Sequence, residues 1–363
     1  MHKSSNPNKK DQNKQIFKNL KSARNRLHHK LNKLDIESLN ISKYNKQYLR
    51  NKLNNLNASL ELYAHIIFLA LKNNVNHVED FVIIDYGGGS GIMSFLAAEM
   101  GVGTVIYNDI YKVSCEDVNN ISQVLDLKLD HIICGDVDDL ANFLKDKNLN
   151  INALVSYDVL EHIYDVNYHF DILGQIQEKS FQLVYASGAN IANPLYVNKI
   201  KKVQISTELE GQEKMPGYKE RDTHEAFLEV RKKIISNYAP TLEEAEVKYL
   251  ASATRGLIKN DIKKYIDEYQ MKGKISYQIH HPTNTCDPYT GNWCEHLISH
   301  RKLLKTIKKN NFYATILPGK YNTAGPMHKK LIKLFINVLF QLGGRKFIFL
   351  APYYIVKGNK MTN

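Results

Sequence analysis

Apolar positions recur at helical spacing through the first seventy residues. They predict one helix over Asn13–Leu34 and a second over Tyr44–Lys72, whose later half is apolar on more than one face and so packs on the main body. The polar run 1–12 is expected to be disordered. From Phe81 the rhythm changes. Strand-like runs at Phe81–Tyr86, Thr104–Asn108, His131–Cys134, Ala153–Tyr157 and Phe181–Ala186 alternate with helical runs at Ile92–Met100, Val113–Leu125, Val137–Lys145 and Val166–Gln177. Such alternation predicts a parallel sheet with helices on both faces. Ligands bind to such sheets beyond the carboxyl ends of the strands.

After Ser187 the alternation stops. A charged, helical stretch reads as an insertion or cap over 189–277. The segment "HHPTNTCDPYTGNWCEHL" that follows is dense in turn-formers and aromatics. A helix at Glu295–Lys309, a strand at Phe312–Leu317, a helix at Met327–Leu342 and a strand at Phe347–Val356 complete the pattern. The expected organisation is a basic N-terminal arm with helices (1–75), a cofactor-binding core (76–188), the insertion (189–277), and a substrate loop with the C-terminal part of the core (278–363).

Composition narrows the class. At 363 residues the chain can bury a full core. No apolar run reaches the roughly 18 residues that a membrane-spanning helix needs. The start lacks the apolar core of a secretory signal, so a cytoplasmic location is expected. The four cysteines form no C-x-x-C pair, and the spacing of Cys286, Cys294 and His296 matches no common metal site. Of the net charge of +12, residues 1–60 carry +11, with 14 Lys/Arg against 3 Asp/Glu. The basic character is therefore assigned to the arm. Such an arm suits RNA, an anionic membrane surface or an acidic partner, but it lacks the aromatic stacking residues common in single-strand binders, which favours a solvated helical extension, argues against nucleic acid and leaves peripheral membrane contact open.

The candidate chemistry gathers at strand ends. The first strand runs into "DYGGGSG", with four glycines in five positions. A dinucleotide fingerprint would need a glycine at position 92, which is Ile92. The loop therefore suits a ligand without phosphate, or a tight turn where helix meets sheet. Asp109 ends the second strand, 18 residues past Gly91, where a carboxylate accepts from ribose hydroxyls or caps a helix. Asp136 ends the third, placed for an adenine amino group, for the helix cap at Val137, or for both. The fourth runs into "SYDVLEHI", which sets Asp158, Glu161 and His162 at the same edge.

With "YND" at 107–109 and "GDV" at 135–137, these motifs resemble those of class I S-adenosylmethionine-dependent methyltransferases, in order and spacing, over about 81–188 and more weakly over 295–359. The resemblance implies an α/β, Rossmann-like, doubly wound seven-stranded sheet of order 3-2-1-4-5-7-6, and S-adenosylmethionine as cofactor. It implies that Asp85, Gly87, Gly89 and Gly91 form the cofactor loop, Asp109 holds the ribose, Asp136 and Val137 the adenine, and Ser156 and Tyr157 line the methyl donor. More loosely, the layout is similar to that of sugar O-methyltransferases, which implies a sugar or nucleotide sugar as small-molecule acceptor. His224, Asn284, Asp287, Tyr289 and Trp293 are the matching substrate candidates. A hydroxyl acceptor needs a base. Histidine suits best, in the order His162, His281, His296. No set of residues fixes a metal. A quinone-like or lipid acceptor, and an RNA-binding methyltransferase-like protein, are the alternative readings.

Overall fold

The computed structural model describes residues 7–72, 77–213, 223–279, 281–322 and 326–361. The expected disorder of residues 1–6, and Arg221, Asp222 and His280 of the two polar clusters, lie outside these. Three helices open the chain: α1 (Pro7–Asn32), α2 (Lys43–Leu53) and α3 (Leu56–Leu71). Helix α1 starts within the polar run expected to be disordered, with Pro7 at its first position, where a missing N–H goes unnoticed. The predicted second helix is two. It breaks at Asn54 and Asn55, residues that compete with the helix for backbone hydrogen bonds.

The alternating part follows as β1 (Val82–Tyr86), α4 (Ile92–Glu99), β2 (Thr104–Asp109), α5 (Lys112–Leu125), β3 (His131–Cys134), α6 (Val137–Asp146), β4 (Ala153–Tyr157), α7 (Val166–Gln175) and β5 (Gln182–Ser187). Then come α8 (Pro194–Leu209), α9 (Phe227–Tyr238), α10 (Glu244–Ala253), α11 (Lys259–Lys272), α12 (His300–Lys309), β6 (Phe312–Pro318), α13 (Met327–Gly343) and β7 (Tyr354–Lys360). The seven strands form one sheet in the order β3-β2-β1-β4-β5-β7-β6. Strands β1 to β5 are parallel and β7 runs antiparallel to both its neighbours. This is the Rossmann-like, doubly wound sheet expected.

Successive residues of β1 face opposite layers. Ile83 packs with α1, α3, α4 and α5 through Leu27, Ile67, Phe95 and Val118. Ile84 packs with α6, α7 and α12 through Leu140, Phe170 and Leu303. The helices α9 to α11 keep a separate core of Ile234, Ile235, Leu250, Ile262 and Ile266. They are tied to the 280–297 segment by a buried ion pair. Arg231, fully buried, meets Glu208 of α8, and Glu208 Oε2 also accepts from the Thr285 hydroxyl at 2.7 Å.

Two of the later elements differ from expectation, and the last strand also runs on to Lys360. Helix α12 begins at His300, because Glu295 takes a left-handed conformation that interrupts any helix through it. The last strand begins at Tyr354. Residues Gly344–Leu350 form 3-10 turns instead, folding Phe347 back over Gly343, and Pro352 has no N–H for a ladder. A short apolar run does not by itself distinguish these outcomes.

Candidate functional site

Beyond the carboxyl ends of β1, β2, β3 and β4 lies a cavity of about 500 Å³. Its floor is the glycine loop. The N–H groups of Gly87 and Gly88 both donate to Asn108 O at 2.9 Å, and the Tyr107 hydroxyl donates to Gly89 O at 2.6 Å. A side chain at Gly87 would collide with Val159 on the neighbouring strand end. Gly91 is also a packing glycine: it caps α4 at φ 76°, and a Cβ there would strike Val118.

Asp85 lies below the cavity, not in its wall. It is buried, and its Oδ2 accepts from Ser94 N at 3.0 Å and Ser94 Oγ at 2.7 Å, so it caps α4 from the adjacent strand. Burial raises its pKa to about 7 against the opposing pull of the Ser94 bonds. Asp109 does line the cavity. Its Oδ2 accepts from Gly89 N and its Oδ1 from Tyr111 N, both at 2.9 Å. Each oxygen keeps a lone pair for a further donor. Asp136 and Val137 also line it. Asp136 caps α6 in a reciprocal box with Asp139, accepting from Asp138 N at 2.9 Å while Asp139 accepts from Asp136 N at 3.0 Å.

The fourth strand ends in Tyr157 and Asp158, both on the cavity wall. Asp158 holds φ at 64°, an uncommon conformation for a residue with a side chain. Ser156 points the other way and donates to Tyr86 O at 2.8 Å. Glu161, fully buried, accepts from Gly188 N at 3.0 Å. Burial, and then the carboxylates of Asp158 and Glu295, push its pKa well above the usual range. His162 lines the cavity. Its Nδ1 donates to Trp293 O at 2.8 Å, which leaves the lone pair of the neutral ring on Nε2.

The other predicted residues lie outside the cavity wall. His296 stacks on Trp293 at 4.0 Å between centroids, and Trp293 Nε1 donates to Tyr164 O at 3.2 Å. Asn284 is buried and bonds Gln204 and Leu297. His281 contacts Thr283, Tyr289 is solvent-exposed, and the His224 ring lies on Phe227. Asp287 accepts from Tyr289 N at 2.8 Å and Thr290 Oγ1 at 2.9 Å. That turn carries Thr290, Gly291 and Asn292 onto the cavity wall. Among the described residues no group of three or more His, Cys, Asp or Glu is placed to hold a metal.

Helix α2 supplies a wall that the sequence motifs did not indicate. Tyr44 and Tyr48 stack at 5.9 Å and close the cavity over Gly89. Their helical spacing was the available signal, and it reads equally as core packing. The cavity has one electrostatic character. Five aspartates line it (Asp109, Asp136, Asp138, Asp158 and Asp165), and no Lys or Arg does among the described residues.

No protein-family model matches the sequence. No curated protein matches it either. Solved structures are similar to it in part. SMU.776, solved with SAH, is 12% identical over 39% of this chain and 38% of that one, with a TM-score of 0.29, so this chain spans under half of that protein's length. The S-adenosylmethionine dependent methyltransferase from Mesorhizobium loti is 12% identical over 81% of this chain and 98% of that one, with a TM-score of 0.35. The plantazolicin methyltransferase BpumL, in complex with SAH, is 12% identical over 96% and 99%, with a TM-score of 0.35.

Proposed function

We propose that the chain is an S-adenosylmethionine-dependent methyltransferase and that it transfers the methyl group to oxygen. The observation that carries this reading is the sign of the cavity. Five aspartates, without a Lys or Arg among the described residues, repel a phosphate-bearing nucleotide. They suit a nucleoside that carries positive charge. The volume, about 500 Å³, falls within the usual range of cofactor pockets. Asp109, fixed by two backbone N–H groups, has lone pairs left for a ribose diol. Asp136 and Val137 offer an acceptor and an apolar face for a base.

When bound, S-adenosylmethionine supplies an electrophilic methyl group on a positively charged sulfur. The Asp158 carboxylate is the group suited to hold that charge. Tyr44 and Tyr48 exclude water from above, which strengthens the alignment of donor and acceptor. His162 Nε2 takes the proton of the acceptor hydroxyl as the new bond forms. The sugar acceptor has narrower support: of the described residues 281–297 only Thr290, Gly291 and Asn292 reach the wall.

Titration calorimetry tests the reading. S-adenosylmethionine and its demethylated product should bind, while NAD and ATP should not. Tight binding of ATP with none of the sulfonium nucleoside would overturn it.

A further inference from the structure

A second cavity, of about 580 Å³, shares one wall with the first. Tyr157 lines both. Lys52 stands at this partition, its Nζ 5.1 Å from the Tyr48 ring centroid and 5.5 Å from that of Tyr157. The sign of the second cavity is opposite to that of the first. Lys21, Arg24, Lys52 and Lys320 line it against, among the described residues, the single carboxylate of Glu61. Burial, with Lys320 and Lys72 nearby, lowers the pKa of His65 on the same wall to about 4, so its ring is neutral. The rest of the lining is apolar or aromatic, led by Leu62, Tyr63, Phe68, Tyr196 and Tyr353.

The origin of these residues explains the sign. They come from the first 68 residues and, apart from Tyr157 and Tyr196, from 320–353. The segment 296–363 holds 13 Lys/Arg and no Asp or Glu. The two basic ends of the chain meet here, and the acidic middle lines the other cavity.

Resting on the methyltransferase reading, we propose that this cavity is the acceptor site and that its substrate is an amphiphilic anion: an apolar or aromatic body with a carboxylate at one end and the reacting hydroxyl at the other. Lys21, Arg24 and Lys320 hold the carboxylate. The hydroxyl reaches the Tyr157 partition, where Lys52 faces the developing negative charge. The O–CH3 bond forms as the CH3–S bond breaks, the electron pair stays on sulfur, and the hydroxyl proton goes to the base.

A matched pair of probes tests this: 12-hydroxydodecanoate and 1,12-dodecanediol, titrated into the full chain with and without the demethylated cofactor. The acid should bind at least tenfold more tightly than the diol. Lys320→Glu and Arg24→Glu should each remove most of that difference and leave cofactor affinity unchanged. Equal binding of acid and diol, or no binding of the acid by protein that takes up the cofactor, overturns the acceptor assignment alone. Binding of the acid by protein that ignores the cofactor overturns the donor reading and keeps the anion site.

A different observation carries a second inference. Helix α13 buries only Phe340 and leaves Met327, Leu331, Phe335, Val338 and Leu342 from 47% to 81% exposed along one stripe. Lys329, Lys330, Lys333, Arg345 and Lys346 flank it, without a carboxylate. An apolar stripe edged by cations fits the surface of an anionic bilayer, while a second copy would oppose like charges. We infer that α13 docks on anionic lipid. Vesicles of phosphatidylglycerol and phosphatidylcholine should sediment the protein, pure phosphatidylcholine vesicles far less, and Leu331→Glu with Phe335→Glu should cut binding at least tenfold. A dimer in solution that the same pair dissociates, without vesicle binding, overturns the inference.

Discussion

Replacing Asp109 by alanine removes a carboxylate that already accepts from Gly89 N and Tyr111 N. The loop loses its clamp together with the proposed ribose contact. We expect Asp109→Ala to weaken S-adenosylmethionine binding at least tenfold in calorimetry; unchanged affinity would reject the ribose role. His162→Ala should lower turnover by about 10²–10⁴-fold while cofactor affinity survives. Unchanged turnover would move the base elsewhere. Asp85 carries a prediction about pH. Its pKa is raised from 3.8 to about 7, so the folded state holds a proton that the unfolded state has released between those values. Its contribution to stability is present below about pH 4 and lost as pH rises to about 7. Melting temperatures of the wild type relative to Asp85→Asn should therefore fall across that window; parallel curves would deny the shift. The place of Asp109 and Asp136 on the cavity wall was legible because both end strands of an alternating sheet on the same edge. Asn284 and Trp293 were not, because polar and aromatic residues in a turn look alike whether they bond inward or outward. Asp158 was legible as a polar residue at a strand end, but its left-handed backbone was not, since aspartate is among the residues that tolerate that conformation.

Helix α1 reads as a solvated arm by charge, yet one face is core. Ile16, Leu20, Ala23, Leu27 and Leu31 are buried, and Glu99 of α4 pairs with both Arg26 and Lys30. Each large aliphatic side chain contributes roughly 1.5–3 kcal/mol on burial, against a whole-domain stability of about 5–15 kcal/mol. Deleting residues 1–33 should therefore lower stability severely rather than trim a tail. Leu27→Ala alone should cost about 2–5 kcal/mol in urea unfolding; a loss under about 0.5 kcal/mol would return the helix to solvent. Most strands and helices of the alternating part were legible to within two residues, because periods of 2 and 3.6 separate cleanly there. The break between α2 and α3 was hidden because the apolar stripe continues across it. The 3-10 turns before β7 were hidden because an aromatic run satisfies a turn packed on a helix as well as a strand.

Charge is arranged by region, and a single net count conceals it. Residues 61–363 look nearly neutral together because the acidic middle offsets the basic C-terminal segment. The near-neutral body expected from sequence is in fact two opposed halves, which the fold places on two cavities with Tyr157 between them. The buried pair Arg231–Glu208 joins α9 to α8 and, through Thr285, to the loop that reaches the first cavity. Arg231→Met should destabilise the fold by about 1–3 kcal/mol, because it leaves the buried Glu208 carboxylate with the half-buried Arg255 as its remaining cationic partner, Nε at 3.3 Å; denaturant unfolding checks this. The sheet order itself was legible from motif order, whereas the second cavity was not, since it joins segments about 300 residues apart in the chain. That order also bears on synthesis. Strand β6 is made before β7 but sits outside it, touching no other strand. A nascent chain therefore carries an open edge at β5 and an unplaced β6 until the residues of β7 emerge, so the last two strands can only be added to the sheet together.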